Sequence, residues 1–222
     1  MIVAIDGPSG AGKSTLAKRL AKELGFTYLD TGAMYRALAL KVLRLQIEVE
    51  DKTGLAALVR DTEIGLRENG GRLHVLLDGE DVADLIRTPE VSQMASKVSA
   101  QKIVRQRMLE LQRAAAEKRD FVAEGRDIGT VIFPGAEVKL YLDASVRERA
   151  RRRYEEMRSG GRDVSLEETV RELEERDRRD SERDLAPLRK AEDAVAIDSS
   201  MLTAETVAQE VLELIRSRMN KD

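Results

Sequence analysis

The 222-residue chain has no cysteine and no tryptophan, one histidine, four prolines, three phenylalanines and four tyrosines. Without cysteine there is no disulfide, no thiolate nucleophile and no thiolate-held metal, and a reducing compartment suits the chain. The lone histidine, His74, has no second histidine to pair with at ligand spacing and sits in an alternating run. It reads as an ordinary strand residue, so acid–base chemistry does not rest on imidazole. Positive charge is not in excess either. The 38 Lys and Arg face 41 Asp and Glu, for a formal charge of −3. That balance disfavours a general nucleic-acid or anionic-membrane binder, so any phosphate recognition falls to local arginines. No apolar run approaches the ~18 residues of a membrane span, and no basic leader precedes the first apolar run. A soluble, cytoplasmic protein is the expectation. What is plentiful is apolar residues, 42%, and charge, 36%. These suit one large α/β domain with a true core and a helix-rich, solvated surface.

One stretch organises the rest: Gly7-Pro8-Ser9-Gly10-Ala11-Gly12-Lys13-Ser14, followed by Thr15. It joins an apolar run, Ile2-Val3-Ala4-Ile5, to a helical pattern carried by Leu16, Ala17, Leu20, Ala21 and Leu24. Strand, glycine-rich turn and helix together are the context of a phosphate-binding P-loop. Glycines let successive backbone N–H groups curl around phosphate oxygens, and the helix adds its unpaired N–H groups and positive dipole end. Lys13 can reach the β- and γ-phosphates, and the Ser14 hydroxyl can ligate Mg²⁺. The implied ligand is a nucleoside triphosphate.

The first helix ends at Gly25, a C-terminal cap glycine. After a short strand, Phe26–Leu29, Asp30 or Thr31 caps a second helix with apolar Met34, Leu38, Val42 and Leu45. Arg36 falls in its first turn, at the carboxyl end of the sheet, where open α/β folds bind ligands. On its own Arg36 reads equally as a site residue or a solvated helix arginine. Residues 46–89 break the α/β rhythm: Ile64 and Leu66 alternate, Asn69-Gly70-Gly71 turns, Leu73, Val75 and Leu77 alternate again, and Asp78-Gly79 turns. This predicts a small antiparallel meander inserted in a parallel fold. Glu90–Glu117 is helical in two pieces and carries Ser96 and Arg105. A buried-type strand, Phe121–Ala123, then ends in Glu124-Gly125-Arg126-Asp127, a charged strand terminus that points to a site. A further strand, Val138–Leu142, ends in Asp143, read either as a metal-associated carboxylate or as the cap of the next helix.

From 147 to 183 the chain carries twelve arginines and twelve acids, including Arg149, Arg152, Arg153, Arg158, Arg176, Asp180 and Arg183. Balanced charge argues against a nucleic-acid tail and for exposed helices laced with i,i+4 pairs. The turn Met157-Arg158-Ser159-Gly160-Gly161-Arg162 between them has the composition of a mobile lid, although a plain helical hairpin fits as well. A last strand, Ala194–Ile197, precedes an amphipathic helix with Val207, Val211, Leu214 and Ile215. The sum is a P-loop NTPase fold of three layers, α/β/α, with a five-stranded parallel sheet, the inserted meander and a helical lid. In a single domain, 1–222, the core takes 1–45, 97–150 and 184–222, the insertion about 46–96 and the lid about 151–183. An Asn-Lys-x-Asp motif of GTPases is absent. Many arginines, one Mg²⁺ and a lid suit phosphoryl transfer between small molecules, which needs alignment, charge neutralisation and exclusion of water.

Four motifs extend this reading: Asp6 to Ser14, Leu29-Asp30-Thr31-Gly32-Ala33-Met34-Tyr35-Arg36, Glu124 to Thr130, and Glu175-Arg176-Asp177-Arg178-Arg179-Asp180-Ser181, with Ala186-Pro187-Leu188 soon after. Together they resemble the bacterial cytidylate kinase family, nucleoside monophosphate kinases, over essentially the whole chain. The resemblance implies transfer of the γ-phosphoryl of ATP to CMP or dCMP with Mg²⁺, by a monomer that uses neither nucleic acid nor membrane. It implies that Arg36, Arg126 and Arg183 hold the CMP phosphate and, with Lys13, carry catalysis. Ser96, Arg105 and Asp127 would read cytosine, and Arg176 and Asp180 the sugar. Thr31 would stand near the acceptor, and Glu124 would orient Mg²⁺ through water. Gly7 to Thr15 would bind ATP, joined by lid arginines drawn from Arg149, Arg152, Arg153 and Arg158. A kinase for UMP or dTMP, or an ATP-binding adaptor without turnover, are the competing readings.

Overall fold

A computed structural model of the chain describes residues 1–69, 72–117, 119–161 and 163–219. Five strands form its centre: β1 (Ile2–Asp6), β2 (Thr27–Asp30), β6 (Phe121–Gly125), β7 (Val138–Asp143) and β8 (Val195–Asp198), parallel in the order β2-β6-β1-β7-β8. These are the five strands expected. Their residues alternate between two cores because successive side chains face opposite ways. Ala4, Leu29, Phe121 and Ala123 join one apolar cluster, and Val3, Ile5, Tyr28 and Val122 the other. Helices cover both faces, which is why the strands read as continuous apolar runs. Helices α2 (Thr31–Arg44), α4 (Pro89–Val98) and α5 (Lys102–Ala115) add Met34, Leu38, Val98, Val104 and Met108 to the first cluster. Helices α1 (Lys13–Leu24) and α8 (Ala204–Met219) add Leu16, Leu20, Val211 and Ile215 to the second.

The insertion holds β3 (Ile64–Asn69), β4 (Arg72–Leu77) and β5 (Glu80–Asp81), antiparallel as the alternation predicted. The meander is not a separate sheet. It joins the edge of the parallel one, where β4 runs beside β2 with Tyr28 opposite Arg72. Gly70 and Gly71 of the expected turn, and Arg162 of the lid turn, lie outside the described residues. One helix was not anticipated, α3 (Lys52–Arg60). Asp51 caps it by accepting from the backbone N–H groups of Thr53 and Gly54, and it buries Leu55, Leu58 and Val59. A π-helical turn, Ile128–Ile132, also went unread; the Arg113 guanidinium donates to two of its carbonyls, on Val131 and Ile132.

The segment expected to form a lid is a hairpin of α6 (Val146–Ser159) and α7 (Leu166–Glu182). Ser145 caps α6, so the cap is not Asp143, whose carboxylate accepts from the neighbouring Ala144 N–H. On α6, Arg151 pairs with Glu155 and Arg152 with Glu148 at the expected i,i+4 spacing, and Arg151 also pairs with Glu148 at i,i+3. At α7, Ser165 and Glu168 bond reciprocally in a capping box. Among the described residues no helix is long and apolar enough to cross a membrane.

Two glycines separate conformational from steric need. Gly25 ends α1 at φ 71° with open space where a side chain would go. Gly7, at φ 148°, would place a Cβ 2.0 Å from the Leu142 carbonyl oxygen. Gly25→Ala should therefore cost about 1 kcal/mol, the left-handed penalty alone, while Gly7→Ala should cost several-fold more because β1 and β7 would have to part. Urea denaturation of both variants checks this, and equal losses would refute it.

Candidate functional site

β1 sits between β6 and β7, so the chain leaves it in one direction and returns on the other side, opening a crevice at the carboxyl ends of the strands. A cavity of about 480 Å³ fills that crevice. Ser9, Gly10, Gly12, Lys13, Ser14 and Thr15 form one end of it. Gly7, Pro8 and Ala11 complete the loop without lining the cavity. The Lys13 ammonium donates to the Pro8 carbonyl at 2.6 Å. Burial, then the Arg126 guanidinium, pushes its pKa down to about 7.

Beside Lys13 lies a compact oxygen cluster. The buried Glu124 carboxylate accepts from the Tyr28 hydroxyl at 2.5 Å and from the Ser14 hydroxyl. Burial and the nearby Asp30 raise its pKa. Thr31 is buried next to it and donates its hydroxyl to the Glu124 carbonyl at 2.6 Å. No three acidic or histidine side chains converge to hold an ion among the described residues. The hard oxygens of Ser14 and Glu124 nonetheless fit Mg²⁺, which takes one or two protein oxygens and fills its remaining positions with phosphate and water.

The other end of the cavity gathers residues that are far apart in the chain. Arg36 on α2 pairs with Asp30, the residue that also caps that helix. Arg126, just beyond β6, donates Nε to Asp180 on α7 at 2.9 Å and Nη1 to the Gly125 carbonyl at 3.2 Å. Asp127 takes a charge-assisted hydrogen bond from Arg105 on α5 and a longer one, 3.4 Å, from Arg183 at the end of α7. Burial raises the Asp127 pKa, with Arg105 and Arg183 opposing. Burial also works against the charge of Asp180, but Arg126, Arg176 and Arg183 together hold its pKa below the ordinary value. The Ser96 hydroxyl reaches Asp180 at 3.5 Å. Arg176 lines the wall too, its pKa pushed down to about 10 by burial and then by Arg126. The Ala186-Pro187-Leu188 stretch serves as a strap. Ala186 adopts a left-handed φ of 50° and accepts from Arg183 Nε at 2.7 Å, while Leu188 N–H bonds the Asp180 carbonyl.

Of the lid arginines, Arg152 and Arg153 line the cavity, whereas Arg149 and Arg158 do not. Arg149 is buried, donating to the Ala144 and Ser9 carbonyls and to Asp177, so it ties the P-loop to both lid helices. Arg158 lies exposed against the Tyr154 ring. Sequence reasoning gave no role to Asp6. It is buried at the tip of β1 and accepts from the Ile128 and Gly129 N–H groups at 2.7 and 2.8 Å, fixing the loop that carries Arg126 and Asp127. Its signal was an acid closing the central apolar strand. Tyr35, Arg87 and Ser99 also line the cavity and were not singled out.

Basic side chains outnumber acidic ones twofold on this wall. A P-loop facing an arginine-rich second half defines a phosphotransferase whose acceptor is itself anionic. The cytidylate kinase family model matches residues 3–217, and the chain belongs to that family. It is 51% identical over 218 residues to a cytidylate kinase of Syntrophotalea carbinolica, covering 98% of this chain and 93% of that one. With a cytidylate kinase of Citrifermentans bemidjiense it is 52% identical over 221 residues, covering 100% and 93%. Among solved structures, an uncharacterized protein from Eubacterium ventriosum superposes with a TM-score of 0.53 at 15% identity, over 98% of this chain and 99% of that one, a likeness of fold.

The depressed Lys13 pKa makes a signed prediction. At pH 8 the free protein holds Lys13 largely neutral, and a bound triphosphate restores the charge. Binding of a Mg²⁺-complexed, non-hydrolysable triphosphate should therefore take up about one proton at pH 8 and almost none at pH 6. Calorimetry in buffers of different ionisation enthalpy measures this, with Lys13→Met as control. Absence of uptake at pH 8 would contradict the assignment.

Proposed function

We propose that the protein is an ATP-dependent kinase for CMP and dCMP, giving CDP or dCDP and ADP, and that it works as a cytoplasmic monomer. Membership of the cytidylate kinase family, together with one cavity that holds a P-loop and an arginine-rich half, carries this reading.

The residues divide the work by chemistry. Gly7 to Thr15 cradle the ATP phosphates, and Lys13 neutralises the β- and γ-phosphates. Ser14 would ligate Mg²⁺ and Glu124 would orient it through water; when bound, the ion would supply positive charge to offset that of the transferring phosphoryl. Arg36, Arg126 and Arg183 clamp the acceptor phosphate, for which planar guanidinium forks suit better than ammonium groups. Asp127 accepts from the cytosine amino group, while Arg105 and Ser96 supply donors to its other edge, so uracil meets the wrong pattern. Arg176 and Asp180, one turn apart on α7, face the sugar. The lid, about residues 151–183, closes with Arg152 and Arg153 toward the triphosphate and excludes water. Arg149 supports that closure from beneath the P-loop, and Arg158 reaches the nucleotide only if the lid moves.

No covalent intermediate and no strong base are needed, because phosphoryl transfer is achieved by alignment and charge stabilisation. Coupled ADP release with ATP and Mg²⁺ should show turnover of CMP and dCMP, with UMP and dTMP lower by ~10²-fold or more in kcat/KM. Similar rates on UMP would remove the base-reading assignment of Ser96, Arg105 and Asp127. Binding of ATP without turnover of any acceptor would leave an adaptor. In the same assay Arg126→Ala should lower kcat/KM for CMP by ~10²–10³-fold; unchanged kinetics would take Arg126 out of the site.

A further inference from the structure

We propose that Tyr28, a core residue, is a positioning residue for Mg²⁺, because its hydroxyl fixes the Glu124 carboxylate. This rests on the Mg²⁺ assignment made above for Ser14 and Glu124. Tyr28 stands on β2 opposite Val122 of β6, and Glu124 lies two residues further along β6. Side chains two apart in a strand share a face. Tyr28, Val122 and Glu124 therefore lie on the α1 side of the sheet, where Tyr28 and Val122 belong to the apolar cluster of Val3, Ile5 and Leu20. Tyr28 is 2% exposed and does not line the cavity; its hydroxyl meets the site from behind, through Glu124.

What needs fixing at Glu124 is the side chain. Its backbone is already held, opposite Ile5 on one neighbouring strand and Asp30 on the other, and its carbonyl accepts from the Thr31 hydroxyl at 2.6 Å. The carboxylate, however, hangs on three rotatable bonds, and their freedom must be given up before it can direct a metal's water. The Tyr28 hydroxyl donates to Oε1 at 2.5 Å, a short charge-assisted bond in the protein interior. The Ser14 hydroxyl reaches both groups. The oxygen that would ligate Mg²⁺ and the carboxylate that would orient it are thus tied to one phenol. Core packing alone does not call for this residue. A phenylalanine would fill the same place without burying a hydroxyl, which costs free energy unless it is bonded. The partner this hydroxyl meets is the carboxylate assigned to the metal, and hydrogen bonds of that kind set a metal site's affinity by orienting its ligands.

The test is Tyr28→Phe, which removes one oxygen atom and keeps the ring. Mn²⁺, a paramagnetic stand-in for Mg²⁺, is titrated into the full chain holding a non-hydrolysable ATP analogue, and electron paramagnetic resonance reads the bound ion. In Tyr28→Phe the Kd of Mn²⁺ should rise about tenfold, while that of the analogue in EDTA stays within about twofold. Glu124→Ala should weaken Mn²⁺ at least as much, and adding Tyr28→Phe to it should cost nothing further. Should Glu124→Ala not fold, Glu124→Gln takes its place. An unchanged Mn²⁺ Kd in Tyr28→Phe, with the Glu124 variant weakened, overturns the proposal and leaves the metal assignment standing. Equal losses from Tyr28→Phe with and without the Glu124 carboxylate also overturn it, since the hydroxyl would then act through packing. An unchanged Kd in the Glu124 variant overturns the assignment and the proposal together. Turnover of CMP by the wild-type protein tests the kinase reading separately, and none of these titrations depends on it.

Discussion

Positive charge buried at a single place governs this molecule. The chain as a whole is slightly acidic, yet its cavity wall carries twice as many basic as acidic side chains. Lys13 and Arg176 both titrate below their ordinary values because burial and neighbouring guanidinium groups work against their charge. A shift of the size seen at Lys13 corresponds to a penalty on the order of a few kcal/mol. The protein limits that penalty by giving most of its arginines a carboxylate: Asp30 for Arg36, Asp180 for Arg126, Asp127 for Arg105 and Arg183. These pairs also fix guanidinium planes before a substrate arrives, which lowers the entropy lost on binding. What they leave uncompensated is what a triphosphate and a nucleoside monophosphate would bring.

Holding so many cations at one point requires rigid supports from different parts of the chain. The P-loop backbone is pressed against β7 at Gly7, where there is no room for even a methyl group. Arg149 then locks that loop to the lid through Ser9 and Asp177. Asp6 does the corresponding work on the arginine-rich side of the cavity, where its two carboxylate oxygens hold consecutive backbone N–H groups after Asp127. The buried acid is uncomfortable there: desolvation raises its pKa to about 6 in spite of those hydrogen bonds. The cost is consistent with a positioning role, since an apolar residue at the tip of β1 would pack well but leave the loop unanchored.

Much of this was legible in the chain because the relevant signals are local. A glycine-rich turn between an apolar strand and an amphipathic helix admits few readings, and the period-2 alternation of Leu73, Val75 and Leu77 gave the meander directly. What escaped depended on partners distant in sequence. Arg149 looks like any lid arginine until Asp177 and the Ser9 carbonyl are placed around it. Asp143 looks like a cap, but Ser145 holds that position instead. The attachment of the meander to β2 runs, among the described residues, through Tyr28 opposite Arg72, which no pattern announces. Helix α3 is different: its cap at Asp51 and its Leu55, Leu58 and Val59 stripe were present in the sequence, but nine residues carry a weak helical period beside the stronger strand alternation that follows. The π-helical turn is set by tertiary contacts of Arg113 and had no local signature.

The placement of Arg126 and Asp127 side by side has a consequence for selectivity. In the proposed mechanism, one residue binds the acceptor phosphate and the next reads the base, and Asp6 anchors the backbone immediately after both. A base of the wrong hydrogen-bonding pattern therefore cannot be accommodated by moving Asp127 alone, because the same rigid segment positions Arg126 for the reaction. Mismatch at the base would be felt as misalignment at the phosphate. Selectivity of this kind acts on the rate of transfer as well as on binding. It also explains why the Asp127 carboxylate is held by two arginines from separate helices: its position, more than its charge, is the quantity that the surrounding structure keeps constant.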